Sequence, residues 1–297
     1  SGWSMLMMRS RSWSVTPKNR SRAWKAHPRR SASAFDRTGA RAIETEATVA
    51  DRALIERCRR ARRDDRLVVL EGLHALKHAL RFGAEIEGAY SADPKQLNRL
   101  AESLAPDVAA RIEGLVETVS PEVFADLAPN APETGVLALA ARPKTTIAEV
   151  NSPMTDAPII MLEAPAHLVN VGAVIRAAAA AGAGAVLSTG HHDPWDPAAV
   201  RGSAGLHFAQ PVVHCREMPA FDRPLIAIDP EGEPLDPKAL PARTVFAFGS
   251  ERRGLSSCLL ERADQRLAIP MEPNVSSLNL ATAVAVVLYG WRLSWMS

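Results

Sequence analysis

The chain has 297 residues, 47% of them apolar and 23% charged, with a formal net charge of +2; that is length and apolar content enough for one or two packed domains, and it excludes a coreless, disordered chain. Three cysteines, Cys58, Cys215 and Cys258, stand far apart, which argues against a disulfide scaffold and fits a reducing compartment. No stretch approaches the roughly 18 continuous apolar residues of a membrane span, so no membrane partner is expected.

The charge is unevenly spread. Residues 1–35 hold eight of the 35 Lys and Arg and no Asp or Glu, so the rest of the chain is net acidic. Residues 1–50 read as a basic, disordered arm or a cloning remnant, with no apolar secretory signal; an organellar transit peptide shares this composition. Residues 36–65 read as a polar helix or arm ending in the basic cluster Arg57, Arg59, Arg60, Arg62 and Arg63.

The first buried strand is Leu67-Val68-Val69-Leu70, after which Leu73, Leu76 and Leu80 recur at helical spacing. A strand over 86–90, a helix over 94–110 and a strand over 115–119 follow. Ser120 and Pro121 start a helix as N-cap and first residue, and 135–141 is a strand. Residues 51–141 thus form a small α/β domain. Residues 142–157, rich in Pro, Thr, Ser and Asp, read as a linker. Residues 158–297 form a second domain with strands at 158–162, 185–188, 212–214, 225–228, 245–248 and 267–269. Helices are expected at 170–181, 197–208 and 278–291. Apolar strands separated by helices imply a mostly parallel sheet covered on both faces.

Ligands of such sheets sit in the loops that follow the strands, and three of these loops carry unusual residues. In Asn170-Val171-Gly172-Ala173-Val174-Ile175-Arg176, Asn170 can cap the helix and Gly172 permits close backbone approach. Arg176 lies in an otherwise apolar helix, where it reads either as a structural Arg paired with a carboxylate or as a clamp for phosphate or ribose. The second loop, Phe248-Gly249-Ser250-Glu251-Arg252-Arg253-Gly254-Leu255-Ser256, could alone be any strand-to-helix turn. The third runs from Ile269-Pro270-Met271 to Ser276-Ser277-Leu278-Asn279. Either serine could cap the last helix, which would leave Asn279 unexplained.

Taken together and in this order, the three segments resemble the motifs of the SpoU (TrmH-like) class of SPOUT RNA methyltransferases: N-x-G-x-x-x-R, G-x-E-x-x-G-L-S, and I-P-M followed by S-L-N. The resemblance covers roughly residues 158–293. Weaker similarity at Leu70-Glu71-Gly72 and over 121–138 extends it to the family's L30e-like substrate-binding domain. Pro273, where many members have Gly, and the Ala164-to-Leu168 entry to the first motif depart from the pattern without removing a polar group.

The resemblance implies an α/β sheet with a C-terminal deep trefoil knot, and a homodimer formed through that knotted domain. The C-terminal helix would then belong partly to the interface, around Val284, Val287 and Leu288. It implies S-adenosyl-L-methionine as cofactor, held by Phe248, Gly249, Ser250, Gly254, Ile269, Met271, Ser277 and Leu278. It implies transfer of a methyl group to a ribose 2′-hydroxyl of ribosomal RNA, or of tRNA, with Arg176, Asn170, Glu251, Ser277 and Asn279 at the catalytic centre. Arg57, Arg60, Arg63, Arg201, Arg252 and Arg253 are candidates for RNA contacts, although such clusters are often only a solvated face. A bacterial, cytoplasmic enzyme fits the Ala-rich composition.

Other chemistries fit less well. His74 and His78 are four residues apart on a helix but lack H-E-x-x-H and a third ligand, so no metal is expected. Gly202-Ser203-Ala204-Gly205 is not a hydrolase elbow, and no strand leads into G-x-G-x-x-G. A catalytically idle RNA-binding or assembly protein on the same fold is the second reading; the joint presence of Arg176, Glu251, Ser277 and Asn279 favours the enzyme.

Overall fold

The computed structural model describes residues 48–129, 132–151 and 156–295; most of the basic arm lies outside them. Two sheets organise the chain. The first joins β1 (Leu67–Glu71), β2 (Ile86–Ser91), β3 (Val116–Thr118) and β4 (Leu137–Ala141) in the order β1-β4-β2-β3. Its residues alternate between two apolar layers, as the period of a strand requires. Val69, Leu137 and Leu139 face α1 (Val49–Ala61) and α5 (Pro121–Leu127). Val68, Leu70, Ala138 and Ala140 face α2 (Leu73–Arg81), α3 (Pro94–Leu104) and α4 (Ala109–Leu115).

The second sheet is parallel throughout, with β5 (Ile159–Leu162), β6 (Ala185–Ser188), β7 (Val212–His214), β8 (Leu225–Pro234), β9 (Val245–Phe248) and β10 (Gln265–Ala268) in the order β10-β8-β9-β5-β6-β7. Ile160, Leu162, Val186 and Phe246 pack on α7 (Leu168–Ala181), α8 (Pro197–Gly202) and α10 (Leu280–Trp295). Ile159, Met161, Leu187 and Ala247 pack on α6 (Ile147–Val150) and α9 (Ser257–Arg262). The strand order reverses between β5 and β9, and in parallel sheets that is where a crevice opens. No helix among the described residues is long and apolar enough to cross a membrane.

Several boundaries differ from the pattern in the sequence, each for a local reason. The helix expected over 94–110 is two helices, because Pro106 drives Ala105 out of the helical region, to φ −157°. The linker contains α6, started by a capping box between Thr146 and Glu149. The helix expected over 197–208 stops at Gly202; Ala204 and Gly205 turn the chain with positive φ into a short 3-10 segment, Leu206–Ala209. β8 extends six residues past 228 by bulging against β10, which itself lies two residues earlier than expected at its start. Val284, Val287 and Leu288 are not an interface face: all three are fully buried in this chain's own core. The exposed apolar side of α10 is instead Val286, Tyr289 and Leu293, because the helix packs its opposite side on α7.

Two glycines set the spacing of the layers. Gly172 of α7 and Gly202 of α8 face each other so closely that a Cβ on Gly172 would fall inside contact distance of the Ala199 carbonyl oxygen and 2.9 Å from the Gly202 Cα. Gly205 (φ +79°) lies equally close to the Ala75 carbonyl of α2. Ionic contacts join the same region. The buried Glu71 carboxylate accepts from Arg62 at 2.8 Å and from Arg201, and Arg142 makes a two-pronged pair with Asp193 at 2.6 and 2.9 Å.

His207 is fully buried beside Trp195. Its Nε2–H donates to the Pro194 carbonyl at 2.7 Å, and its Nδ1 accepts from the Ser203 hydroxyl at 2.7 Å. Burial pushes its pKa down to about 4. The unfolded chain therefore takes up this proton first, and stability falls as pH drops from about 6.5 toward 4, by about 3 kcal/mol from this group. Urea denaturation at pH 7 and pH 4.5 checks this: His207→Gln should show a smaller loss of stability between the two pH values than the parent.

Candidate active site

The loops after β5, β9 and β10 converge at the sheet's switch point, and each motif contributes one polar side chain to a single chain of hydrogen bonds. Glu251 Oε1 accepts from Asn170 Nδ2 at 2.6 Å, and Oε2 accepts from the backbone N–H of Ala166 at 2.8 Å. Asn170 Oδ1 accepts from Asn279 Nδ2 at 3.1 Å. Asn279 Oδ1 in turn accepts from the Ala281 N–H at 2.9 Å, which caps α10. Burial raises the Glu251 pKa, but the hydrogen bonds from Asn170 and the Ala166 amide outweigh it and hold the carboxyl below its ordinary value. Glu251 is thus an ionised acceptor between two donors, the stronger kind of hydrogen bond.

These partners correct two assignments. Asn170 is not a helix cap: α7 begins at Leu168, and the Asn170 amide serves Glu251 instead. Neither Ser276 nor Ser277 caps the last helix; Asn279 does.

The loop bearing Glu251 is built to be tight. Ser250 and Gly254 exchange backbone hydrogen bonds at 3.1 and 3.0 Å, and Gly254 turns the chain at φ +65°. A Cβ on Gly249 would fall inside the backbone of Gly254 and Leu255. Glu163, a residue with no sequence signal beyond its place at the end of β5, secures the loop's far end. Its carboxylate accepts from the N–H of Ser256 at 2.7 Å and from its hydroxyl at 2.6 Å.

A cavity of about 260 Å³ opens beside this chain of bonds. Phe248, Gly249, Ser250 and Gly254 line it from one loop, and Ile269, Met271, Ser277 and Leu278 from the other. Asp229 and Pro230, where β8 bulges, also line it and carried no flagged motif; Asp229 is held by Arg266 at 2.6 Å. Glu251 and Arg252 lie at its edge.

Arg176 is not gathered into this group. It lies six residues beyond Asn170, about 9 Å further along α7, does not line the cavity, and is exposed. It makes no hydrogen bond or ion pair among the described residues, so it is not a structural Arg held by a carboxylate. Of the other arginines considered, Arg57 pairs with Glu87 at 2.7 Å, Arg60 with Glu56 at 3.5 Å, and Arg201 with Glu71. Arg63, Arg252 and Arg253 form no ion pair among the described residues.

The tight loop makes a testable demand. Gly249→Ala should displace the backbone of 254–255 and cost about 1–3 kcal/mol, an effect that thermal denaturation reads.

The SpoU rRNA Methylase family profile matches residues 157–289. An uncharacterized tRNA/rRNA methyltransferase of Synechocystis is 32% identical over 245 residues, which span 78% of this chain and 86% of that protein. A 23S rRNA guanosine 2′-O-methyltransferase of Bacillus subtilis is 34% identical over 143 residues, 45% of this chain and 57% of that protein. Among solved structures, the SpoU methyltransferase AviRb of Streptomyces viridochromogenes, in complex with AdoMet, shares the fold with TM-score 0.68 at 22% identity, covering 82% of this chain and 98% of that one. A structure described as an RNA 2′-O ribose methyltransferase aligns with TM-score 0.65 at 28% identity, covering 84% and 98%. The fold, the motifs and these relatives agree, and the chain belongs to the SpoU rRNA methylase family.

Proposed function

We propose that this protein transfers the methyl group of S-adenosylmethionine to a ribose 2′-hydroxyl of RNA, with ribosomal RNA as its target. The observation that carries the reading is the Glu251–Asn170–Asn279 chain, one residue from each motif, bordering a glycine-lined cavity. The Bacillus relative is named a 23S rRNA 2′-O-methyltransferase, and a neighbour of the same fold is crystallised with AdoMet.

The cavity fits the cofactor's chemistry. Phe248, Ile269 and Leu278 offer apolar walls for an aromatic base, Gly249 and Gly254 let backbone groups approach closely, and Asp229 supplies a carboxylate on a rim that would face a cation. When bound, S-adenosylmethionine supplies a methyl group on a sulfonium, which leaves as a neutral thioether. The residues then have to hold the hydroxyl in line and place its proton. Glu251 fixes Asn170, Asn170 fixes Asn279, and the three hold the loops around the ribose. A guanidinium has no lone pair free to take a proton and is a poor base, so Arg176 acts by gripping an RNA phosphate, and that phosphate accepts the hydroxyl proton. The 2′-hydroxyl itself distinguishes RNA from DNA.

Arg176 stands away from its own cavity, so the reading requires a second copy to bring cavity and guanidinium together. We place the homodimer contact on the exposed Val286, Tyr289 and Leu293 of α10. The threading of the 248–256 and 269–278 loops as a trefoil knot, and a bacterial cytoplasmic location, belong to the same reading by family resemblance.

Labelled cofactor incubated with total ribosomal RNA and tRNA should yield 2′-O-methyl nucleosides from ribosomal RNA. Arg176→Ala should lower kcat by about 10²-fold or more with cofactor affinity unchanged. No transfer and no cofactor binding would favour the idle RNA-binding protein. Mixing Arg176→Ala with Glu251→Ala chains in equal amounts should restore about a quarter of parental activity, since about half of all dimers are mixed and each mixed dimer carries one intact site of two; no restoration would refute the shared site.

A further inference from the structure

The helix that follows β1 carries a charge pattern the catalytic reading does not use. In α2, Leu73, Leu76, Ala79 and Leu80 are buried. His74, Lys77, His78 and Arg81 occupy the other side at spacings i, i+3, i+4 and i+7, and the helix contains no acidic residue. Four groups that are or can become cationic on one face disfavour an isolated helix. Among the described residues the nearest acidic group is Asp107, which pairs with Arg81 at 2.6 Å and also acts on Lys77 through space, while the Lys77 ammonium donates to the Leu104 carbonyl at 3.5 Å.

This face is held at a fixed place against Arg176. His78 Nδ1–H donates to the Ala204 carbonyl at 2.7 Å, and Ala75 lies against Gly205 in the same turn. That turn follows α8, which packs on α7 through the Gly172–Gly202 crossing. The result brings His74 within electrostatic reach of both Lys77 and Arg176. Burial first, then the charges of Lys77 and of Arg176, keep the His74 imidazole below its ordinary pKa. Arg176 and Lys77, with His74 able to take up a proton beside them, therefore form a mainly cationic cluster drawn from both sheets' units, with Asp107 beside Arg81 as its one acidic neighbour among the described residues. It costs stability while empty, and a phosphate entering it would reverse that cost.

We propose that Arg176, His74 and Lys77 form one composite phosphate-binding site, built half from each sheet's unit, that grips the RNA backbone at the target nucleotide. The inference rests on the RNA methyltransferase reading and adds two positioning residues to it. In the dimer one copy then holds the RNA, and the second copy's cavity holds the methyl donor.

A double-mutant cycle on protein-free ribosomal RNA tests this, with binding followed across a salt series and methyl transfer measured on the same preparations. Lys77→Ala should weaken RNA binding about 10-fold and make the slope of log affinity against log salt shallower by about 0.7–0.9, raising KM while leaving kcat and cofactor affinity near parental. Lys77→Arg should restore binding. In the Arg176→Ala background the further loss from Lys77→Ala should shrink to about 3-fold or less, because the shared phosphate is already released. Lys95→Ala/Arg99→Ala on α3 removes more charge elsewhere and separates lost contact from lost net charge. The proposal is overturned if Lys77→Ala leaves the slope and KM unchanged, if its effect adds in full to that of Arg176→Ala, if the α3 pair produces the same loss, or if polyglutamate competes as well as RNA does. Absence of methyl transfer by the parent protein refutes the enzyme reading instead, and the binding cycle remains readable without it.

Discussion

One carboxylate ties the catalytic half of the protein together. Glu251 sits on a loop too tight to move alone, and it accepts from the first motif twice, once from the Asn170 side chain and once from the Ala166 backbone. Through Asn170 it also governs Asn279 and hence the first turn of α10. Three loops that leave three different strands thereby share one set of coordinates. A parallel sheet supplies the crevice, but its loops would be free to wander without a fixed acceptor among them. Glu163 performs the matching task at the far end of the same loop, so a glutamate side chain accepts hydrogen bonds at either end.

Much of the fold was legible because burial has a period. Runs such as Ile159 to Leu162 and Val245 to Phe248 are covered on both faces, and they read as continuous apolar strands. Ser120 followed by Pro121 marked a helix start that the Ser120 hydroxyl makes, accepting from the Val123 N–H at 3.2 Å. The motif residues lining the cavity were legible as a set through resemblance, since neither glycine, proline nor serine there has a periodic signature.

The rest was hidden because it depends on partners distant in sequence. Asn170 has the composition of a cap, and nothing local reveals that Glu251 competes for its amide. The face of α10 that stays exposed is set by which side the helix lays on α7, a choice that the apolar run 283–288 does not encode. Arg176 looked anomalous in an apolar helix because its neighbours in sequence are not its neighbours in space. Asp229 entered the cavity only through the bulge of β8 against β10.

The crossing of Gly172 and Gly202 has a mechanical meaning. The central glycine of the first motif touches no part of the cavity; it sets how near α8 can come to α7. The turn at Ala204 and Gly205 rides on the end of α8, and α2 rides on that turn. A bulkier residue at 172 would act as a wedge on a lever arm. It would tilt the first sheet's unit outward while the cavity between the loops kept its shape, so the motif's glycine serves as the fulcrum that keeps two separately built surfaces in alignment.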